Sequence, residues 1–582
     1  MTPTERDGSA PDDSDPIRVA VACSGLELPS WQARVIQSLR SVDSVALVLL
    51  LDESPATGRP ASAHLDPGRR LSAVPDATTD PSWSVWDNWQ RLTPRPGAST
   101  IVDLTDELGG VERVPIQGRR DDGAVEVGER ARRAVSLSDL DVLVRLGGLA
   151  LKDEAVLSAP TYGVWEFRYG GDGQGGTWPP CVDELRAGHP VTHAALWRVT
   201  GPNTGVPLRR GTFPTVGHSW PATVDRLFAG SARWPAAVAV DIAIGEADYL
   251  DGESVPIDRE AGREPGVGGV AGLAFAQIRA AWDLMTSGSG VWSIGVTDTP
   301  IEAVVADPAG TDFEWFPLPD SRRFVADPFP VRIDGDPYLL FEDFPFDTSK
   351  GVISALSLDD DLSFANTEVV FEQPFHLSYP YAFVHDGSTY VTPEMAEGNE
   401  ISLYELHGPA EWEHVETLVP DVMGIDPTVI QHDGRWWLFC TLLDELPETN
   451  LHVYHAPSLR GDWVPHANNP VKSDVRSVRP AGTPWTEDGT LYRPGQYCAG
   501  GYGKRVVVNR VDRLTPTAFE ETVVGELVPD ADGPYAGGRH TLAANEDVTV
   551  IDGYHSVVDT YHTLRRARIV LQGLSNRLPR FP

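Results

Sequence analysis

The sequence predicts an α/β domain followed by an all-β five-bladed propeller. Three observations predict it. Up to about residue 250, continuous apolar runs alternate with helical periodicity, the texture of a mostly parallel sheet with helices on its faces. From about residue 290 the texture changes to short strands separated by Gly, Pro and Asp turns. Within that second half an Asp-Gly pair recurs about every 50 residues, at 334, 386, 433, 488 and 552, and hairpin repeats of that length are a propeller signature.

In the first half, IRVAVAC (17–23) reads as a buried parallel strand. The small-residue turn SGLELP leads into the helical pattern WQARVIQSLR. VALVLLLDE (45–53) and LDVLVRLGG (140–148) are the next buried strands. YGVWEFRYGG (162–171) is aromatic and breaks into glycines, VTHAALWRVT (191–200) alternates, and the rest to about 250 is expected to be helical. Ligands of such a sheet bind at the carboxyl ends of its strands. Residues 17–250 therefore form one domain. Residues 1–16 are expected to be a disordered tail, and 251–289 a glycine-rich linker followed by the helix AFAQIRAAWDLM (275–286).

The second half repeats as IDGDPYLLFE (333–342), HDGSTYVTPE (385–394), HDGRWWLFCT (432–441), EDGTLYRPGQ (487–496) and, more weakly, IDGYH (551–555). Each copy reads as strand, Asp-Gly turn, strand, because Asp-Gly meets the positive φ of a type I′ hairpin turn. Five copies imply five blades over 290–555, with 556–582 a helical tail.

Offsets from the turn select the candidate site. Seven residues before the turn Asp stand Asp327, Tyr379 and Asp426. The less regular copies supply Arg479 (RPAGTP) and His540 (GGRHTL). Eight residues after it stand Glu342, Glu394, Thr441 and Gln496. Innermost strands of a propeller line one channel, so equivalent positions form a ring. Crowded carboxylates split their pKa values, and cleavage of a glycosidic bond needs one carboxyl protonated and another ionised. A single Asp before Pro also caps a turn by accepting backbone N–H bonds; the repeated polar ring is what points to sugar chemistry. Trp315, Trp412, Trp436, Trp437, Trp463 and Trp485 read as blade packing, His385 and His432 as exposed turn residues, and neither a metal nor a cofactor is called for.

ADP in the first copy and IDP in the third resemble the five-bladed β-propeller glycoside hydrolases of the arabinanase, levansucrase and invertase type. With SYPYAFVHDGSTYVTPE, ISLYEL and RPAGTPW, residues 290–555 are more specifically similar to the N-terminal propeller region of glucosamine inositolphosphorylceramide transferases. The hydrolase resemblance implies Asp327 as base, Asp426 as the Asp that tunes pKa and holds the sugar, and a Glu as acid. Glu394 and Glu342 are rivals for that last role. Tyr379, Arg479, Gln496 and His540 would contact a glycan or nucleotide-sugar ligand. The alternative is a non-catalytic carbohydrate-binding or scaffold module in surface-glycan assembly.

DVLVRLGGLALKDEAVLSAPTYGVWEFRYGG resembles the formyltransferase fold, covering residues 17–230. That family carries Asn-x-His after G-V-x and an Asp further on. Here Glu166, Arg168 and Asn203 stand near those places. Formyl transfer needs a His to shuttle a proton, so amino-sugar formylation is disfavoured, while Glu166 and Arg168 remain ligand-binding candidates at a strand end.

Composition bounds the setting. Lys+Arg total 47 against 84 Asp+Glu, a formal charge of −37, which argues against nucleic acid or an anionic membrane as a partner. The basic residues are 43 Arg and only 4 Lys, while Asp alone counts 51. A GC-rich genome explains few lysines but not the Asp excess. That surface resembles proteins of halophilic archaea. Four scattered cysteines form no CxxC motif, and the acidic N-terminus offers no apolar leader; a cytoplasmic protein is expected. At molar salt the screening length falls to about 3 Å, so thermal melts between about 0.1 and 3 M KCl should rise steeply; a flat series would remove the salt-adaptation reading.

Overall fold

A computed structural model describes the chain except residues 1–14, 54–84, 87–88, 90–92, 117–119, 122–123, 126, 147–149, 152, 172–178, 202, 258–264, 287, 319–320, 563–564 and 566–582. Most of the two expected tails and part of the 251–289 linker thus lie outside the described residues. The chain divides into two compact units after Arg279.

The first unit is built on an eight-stranded mixed sheet. Five strands run parallel, in the order Val164–Tyr169, Val142–Arg145, Ile17–Cys23, Val45–Asp52, Glu112–Pro115. Val191–Gly201, Thr204–Pro214 and Val255–Pro256 extend it antiparallel. Ile17–Cys23 lies between two neighbours with almost every side chain buried, as its unbroken apolar run requires. The stretch to 250 departs from expectation at 204–214, which pairs as a strand before the helices Trp220–Ser231 and Trp234–Ala243. Both helices carry Pro in their first turn, where no N–H is needed. The helix expected from 275 already starts at Val267. It runs through Gly268, Gly269 and Gly272 because Val270 and Leu273 are buried in the first unit's core, which outweighs a cost of about 1 kcal/mol per glycine.

The second unit holds five antiparallel sheets, the five blades. Blade 1 comprises Arg323–Ile333, Asp336–Pro345, Val352–Ser357 and Glu368–Phe371. Blade 2 comprises Ser378–His385, Ser388–Glu394, Glu400–Gly408 and Glu411–Pro420. Blade 3 comprises Gly424–His432, Arg435–Leu442, Asn450–Ala456 and Val464–Pro465, with Lys472–Ser473 paired beside it. Blade 4 comprises Trp485–Glu487, Thr490–Tyr497, Arg505–Leu514 and Phe519–Leu527. Blade 5 takes strands from both ends of the unit: Leu542–Ala544, Thr549–Val557, Ser289–Thr297 and Glu314–Trp315. Ser289 to Thr297 pairs with Val557 to Thr549 along its full length, and this closes the ring.

At 334, 386, 433 and 488 both members of each Asp-Gly pair have positive φ, the type I′ geometry expected of them. The fifth pair is a correction. Asp552 and Gly553 lie inside the strand Thr549–Val557, Asp552 is fully buried, and the blade-5 connection falls at Asn545–Val548 instead. The period predicted the number of blades, but the fifth Asp is a channel residue.

The blades interlock through aromatic and aliphatic packing, with Phe316, Phe329, Phe341, Tyr379, Leu438 and Trp436 in one core. Two left-handed glycines separate turn chemistry from packing. Gly387 (φ 84°) has no atom within 4 Å of the place a Cβ would take, whereas a Cβ on Gly482 (φ 122°) would lie 1.9 Å from the carbonyl oxygen of Leu542. Gly387→Ala should cost about 1 kcal/mol. Gly482→Ala should cost more than about 3 kcal/mol, because backbone as well as φ must shift. Urea unfolding of the two variants checks this, and equal losses would show that the blade 4–blade 5 contact is looser than described.

Candidate active site

In blades 1, 2 and 3 the innermost strand slips register at one place, between Ala326 and Phe329, Ser378 and Tyr381, and Ile425 and Thr428. Each bulge holds one non-glycine residue in the left-handed region: Asp327 (φ 50°), Tyr379 (φ 43°) and Asp426 (φ 50°). Such a residue costs about 1 kcal/mol, and bulges re-aim side chains next to functional sites. The residues eight beyond the turn Asp stand across from these bulges. Glu342 pairs with Ala326, Glu394 with Ser378, Thr441 with Ile425, and Gln496 donates its N–H to the carbonyl of Arg479. Both predicted offsets thus describe one structural position.

Asp327 is the first node. Its carboxylate accepts from Thr541 Oγ1 (2.8 Å) and the Tyr379 N–H (3.3 Å), and lies 3.2 Å from His540 Nε2. His540 Nδ1 lies 2.7 Å from Asp552, whose carboxylate also accepts the N–H groups of His540, Thr541 and Asp327. Burial opposes charge on His540, but Asp552 and Asp327 outweigh it and raise its pKa to about 10. Burial likewise opposes charge on Asp327; the imidazolium and the Thr541 hydroxyl prevail and hold its carboxyl below the usual range.

Asp426 is the second node. Arg479 donates to it from Nε and Nη2, Gln496 Nε2 donates at 2.8 Å, and the Asp426 N–H donates to Glu394 at 3.2 Å. Arg479 lies 4.0 Å from Glu394 and beneath the ring of Tyr502, 4.9 Å from its centroid. Between the nodes, Glu342 and Glu394 are both pushed well above the carboxylate range. Burial is the largest cause for each, followed by the Asp327 charge for Glu342 and the Asp426 charge for Glu394. The arrangement offers two aspartates paired with cations and two buried glutamates pushed toward the protonated form.

The other expected residues divide. Tyr379 is drawn inward: its ring is fully buried against Phe329, and its hydroxyl accepts from the Gly482 N–H (2.7 Å) and bonds Thr428 (2.9 Å). It braces blades where substrate contact was expected. Gln496 is fully buried with its amide on Asp426 and the Pro480 carbonyl, so it orients Asp426. In the first unit Glu166 forms a buried ion cluster with Arg145 (2.6 Å) and Arg168.

Four further residues stand at the site. Asp552 carries the turn motif but lies in the strand Thr549–Val557. His376 Nδ1 accepts the Gly351 N–H (2.9 Å), which leaves Nε2 as the donor 3.6 Å from Glu342. Trp292 packs on His540 at 4.1 Å between centroids, and Tyr502 stands edge-on to both. None of the three lies at a repeat offset. The six tryptophans expected to pack blades are not part of either node; Trp436 and Trp437 are buried, Trp412 and Trp485 stack on Phe371 and Tyr492, and Trp315 packs at a tilt against Tyr535. Asp327, His540 and Asp552 also offer one ligand atom each within 4.8 Å of one another. A cation there would have to displace the His540 proton, since a metal binds neutral imidazole.

Residues 289–539 match the family described as glucosamine inositolphosphorylceramide transferase 1, N-terminal. Similar curated proteins include glucosamine inositolphosphorylceramide transferase 1 of Oryza sativa subsp. japonica, 33% identical over 248 residues, or 40% of this chain and 33% of that protein. The Arabidopsis thaliana protein of the same name is 32% identical over 270 residues, 42% of this chain and 35% of that one. The chain therefore spans about a third of the length of these curated relatives. Similar solved structures include Zg3597, a family 117 glycoside hydrolase of Zobellia galactanivorans, with 15% identity, 47% of this chain, 94% of that chain and TM-score 0.30. The catalytic domain of a Coprinopsis cinerea GH62 α-L-arabinofuranosidase shows 12% identity, 42% and 90% coverage and TM-score 0.33.

The His540 shift fixes a pH dependence. A folded-state pKa raised from 6.5 to about 10 contributes stability that is complete below about 6.5 and lost as pH rises through about 10. Melting temperature should therefore fall on the alkaline side, and His540→Gln should flatten that fall. An unchanged alkaline limb in the variant would show that His540 is neutral in the folded protein.

Proposed function

We propose that the propeller is a carbohydrate-active centre that cleaves or transfers a glycosyl group of a glycan or an activated sugar. The observation that carries this is four buried carboxyls drawn together from three blades, Asp327 beside His540 and Asp426 on Arg479, with burial and the neighbouring charges pushing Glu342 and Glu394 toward the protonated form. Glycosyl chemistry at neutral pH needs that pairing of roles. The match of 289–539 to a glycosyltransferase-named family supports the sugar class.

In this reading Asp327 is the base or nucleophile and Arg479-bound Asp426 orients the sugar and sets the charge around it. Glu394 is the acid. Its Oε2 accepts the Asp426 N–H. Glu342 is the second reading for the acid, favoured by one observation: His376 Nε2 lies 3.6 Å from its carboxyl. The N-terminal unit, in the same proposal, keeps a formyltransferase-type fold without that chemistry, because Glu166 is committed to two arginines.

Hydrolysis of p-nitrophenyl glycosides and of nucleotide sugars, with bound sugar followed by calorimetry, provides the test. Asp327→Asn should retain the fold and binding yet lower turnover by about 10²-fold or more, the scale for losing a positioned base. Of Glu394→Gln and Glu342→Gln, the one that loses turnover while an added leaving group of low pKa restores it is the acid. Sugar binding with no turnover in the unmodified protein would establish the scaffold alternative.

A further inference from the structure

The aspartates of the funnel lie toward the start of the innermost strands Arg323–Ile333 and Gly424–His432, and the Asp-Gly turns end those strands. Asp327 is seven residues before Asp334, which at about 3.3 Å per strand residue is about 20 Å along the strand. At the turn end a cavity of about 610 Å³ opens between blades 1 and 2 and the blade-5 turn. Blade 1 lines it with Pro330 to Arg332, blade 2 with Tyr381 to Val384, Glu405 and His407, and blade 5 with Ala544 to Asp547. Its volume falls within the span of small-ligand sites, about 300–1,000 Å³. No residue of either carboxylate node lines it.

The cavity joins an aromatic wall to a polar rim. Phe383 is half-buried among Tyr381, Tyr390 and Trp436, with ring centroids 5.8, 5.8 and 5.9 Å away. Tyr381 is fixed by its hydroxyl, which donates to the Val429 carbonyl at 2.8 Å. Both rings are therefore held before any ligand arrives, which lowers the ordering cost of binding. On the rim Arg332 pairs with Asp547 (2.8 Å), Glu405 with Arg460 (3.3 Å) and His407 with Glu413 (3.0 Å). A charged ligand would have to compete with these pairs, and exposed Asp334 and Glu546 oppose an anion further. A hydroxyl donates to a carboxylate and accepts from a guanidinium with the pairs intact. Asn545 lines the same cavity, and its Nδ2 is buried with no acceptor among the described residues, a demand that the fold itself leaves unmet.

We propose that this cavity is a second carbohydrate-binding site, seating a neutral pyranose unit of a glycan with its apolar face on Phe383 and its hydroxyl edge toward Arg332, Asp547 and Glu405. A pyranose is apolar on its C–H faces and polar at its edge, and the cavity offers an aromatic wall and a hydrogen-bonding rim to match. The choice of a sugar over another neutral polyol rests on the carbohydrate reading of the funnel; the cavity and its preference for a neutral ligand do not. Set at the far end of the strands from the carboxylates, the site holds a glycan without cleaving it.

The test is titration calorimetry of the full chain with maltopentaose, cellopentaose, xylopentaose and galactotetraose, and with spermidine and glucuronic acid as charged probes. Saturable binding of at least one oligosaccharide is expected, weakened about tenfold or more by Phe383→Ala and by Val384→Arg. Val384 lines the cavity with a side chain 61% exposed, so the arginine fills the cavity and spares the fold. Asp327→Asn should keep this binding within about twofold, as distant sites act independently. The two cavity variants should likewise keep turnover of p-nitrophenyl glycosides within about twofold. The binding arms read out whether or not the funnel turns over a substrate, so the two readings fail separately. Binding that Val384→Arg leaves intact lies elsewhere and overturns the site. Absence of saturable heat from every oligosaccharide, or tighter binding of spermidine or glucuronic acid than of any sugar chain, would overturn it equally. The Val384→Arg arm keeps the test decisive if Phe383→Ala does not fold.

Discussion

Asp327 ties three blades at one carboxylate, and the rest of the channel depends on that tie. The residue belongs to blade 1, accepts from the Tyr379 N–H of blade 2, and meets Thr541 and His540 of blade 5. Asp426 repeats the device, joining blade 3 to Arg479 and Gln496 before and within blade 4, and to Glu394 of blade 2. A carboxylate cannot stay charged at an axis closed to water unless its lone pairs are filled. The nearest available donors sit on the neighbouring blades, so satisfying the charge also fixes the blades. The residues proposed for chemistry are the residues that hold the ring.

That economy explains why two acids stay neutral. Each Asp already has its cation, His540 for Asp327 and Arg479 for Asp426. A further negative charge on Glu342 or Glu394 would face burial and a neighbouring carboxylate. The cheaper state is protonation. Protonating a buried Glu in the fold, when it is ionised unfolded, costs stability at neutral pH, and structures retain such groups where function uses them.

The Asp-Gly period revealed the blade number, and the fixed offsets singled out Asp327, Glu342, Glu394 and Asp426, whose buried carboxyls act on one another, because a repeated hairpin places equivalent residues at equivalent depth. What the repeat could not reveal lies off its register. Asp552 looked like a turn because IDG copies the turn motif; the burial of its strand against Ser289–Thr297, a partner about 260 residues away, overrides local chemistry. Gln496 and Tyr379 sit at the right offset but point into the packing. His376, Trp292 and Tyr502 reach the channel from connections and an outer strand, where no offset constrains them. In the first unit, the buried strands Ile17–Cys23, Val45–Asp52 and Val142–Arg145 were legible from apolar runs, whereas Thr204–Pro214 was not, because its prolines, glycines and arginines hide the pairing with Val191–Gly201.

Ring closure and site assembly are one event. His540 and Thr541 immediately precede the innermost strand of blade 5, the next strand carries Asp552, and the pairing of Thr549–Val557 with Ser289–Thr297 brings the end of the propeller to its start. Before that pairing, Asp327 has lost its cation and its hydroxyl donor, and its ionised state is no longer favoured. The family match ends at residue 539, one residue before these groups. The half of the site that charges Asp327 is therefore supplied by the segment beyond the matched region. A chain ending there would keep Asp426 with Arg479 but leave Asp327 without its charged partner. Closure of the fifth blade thus converts a row of similar carboxyls into two unlike pairs, and the difference between those pairs is what acid–base work on a sugar requires.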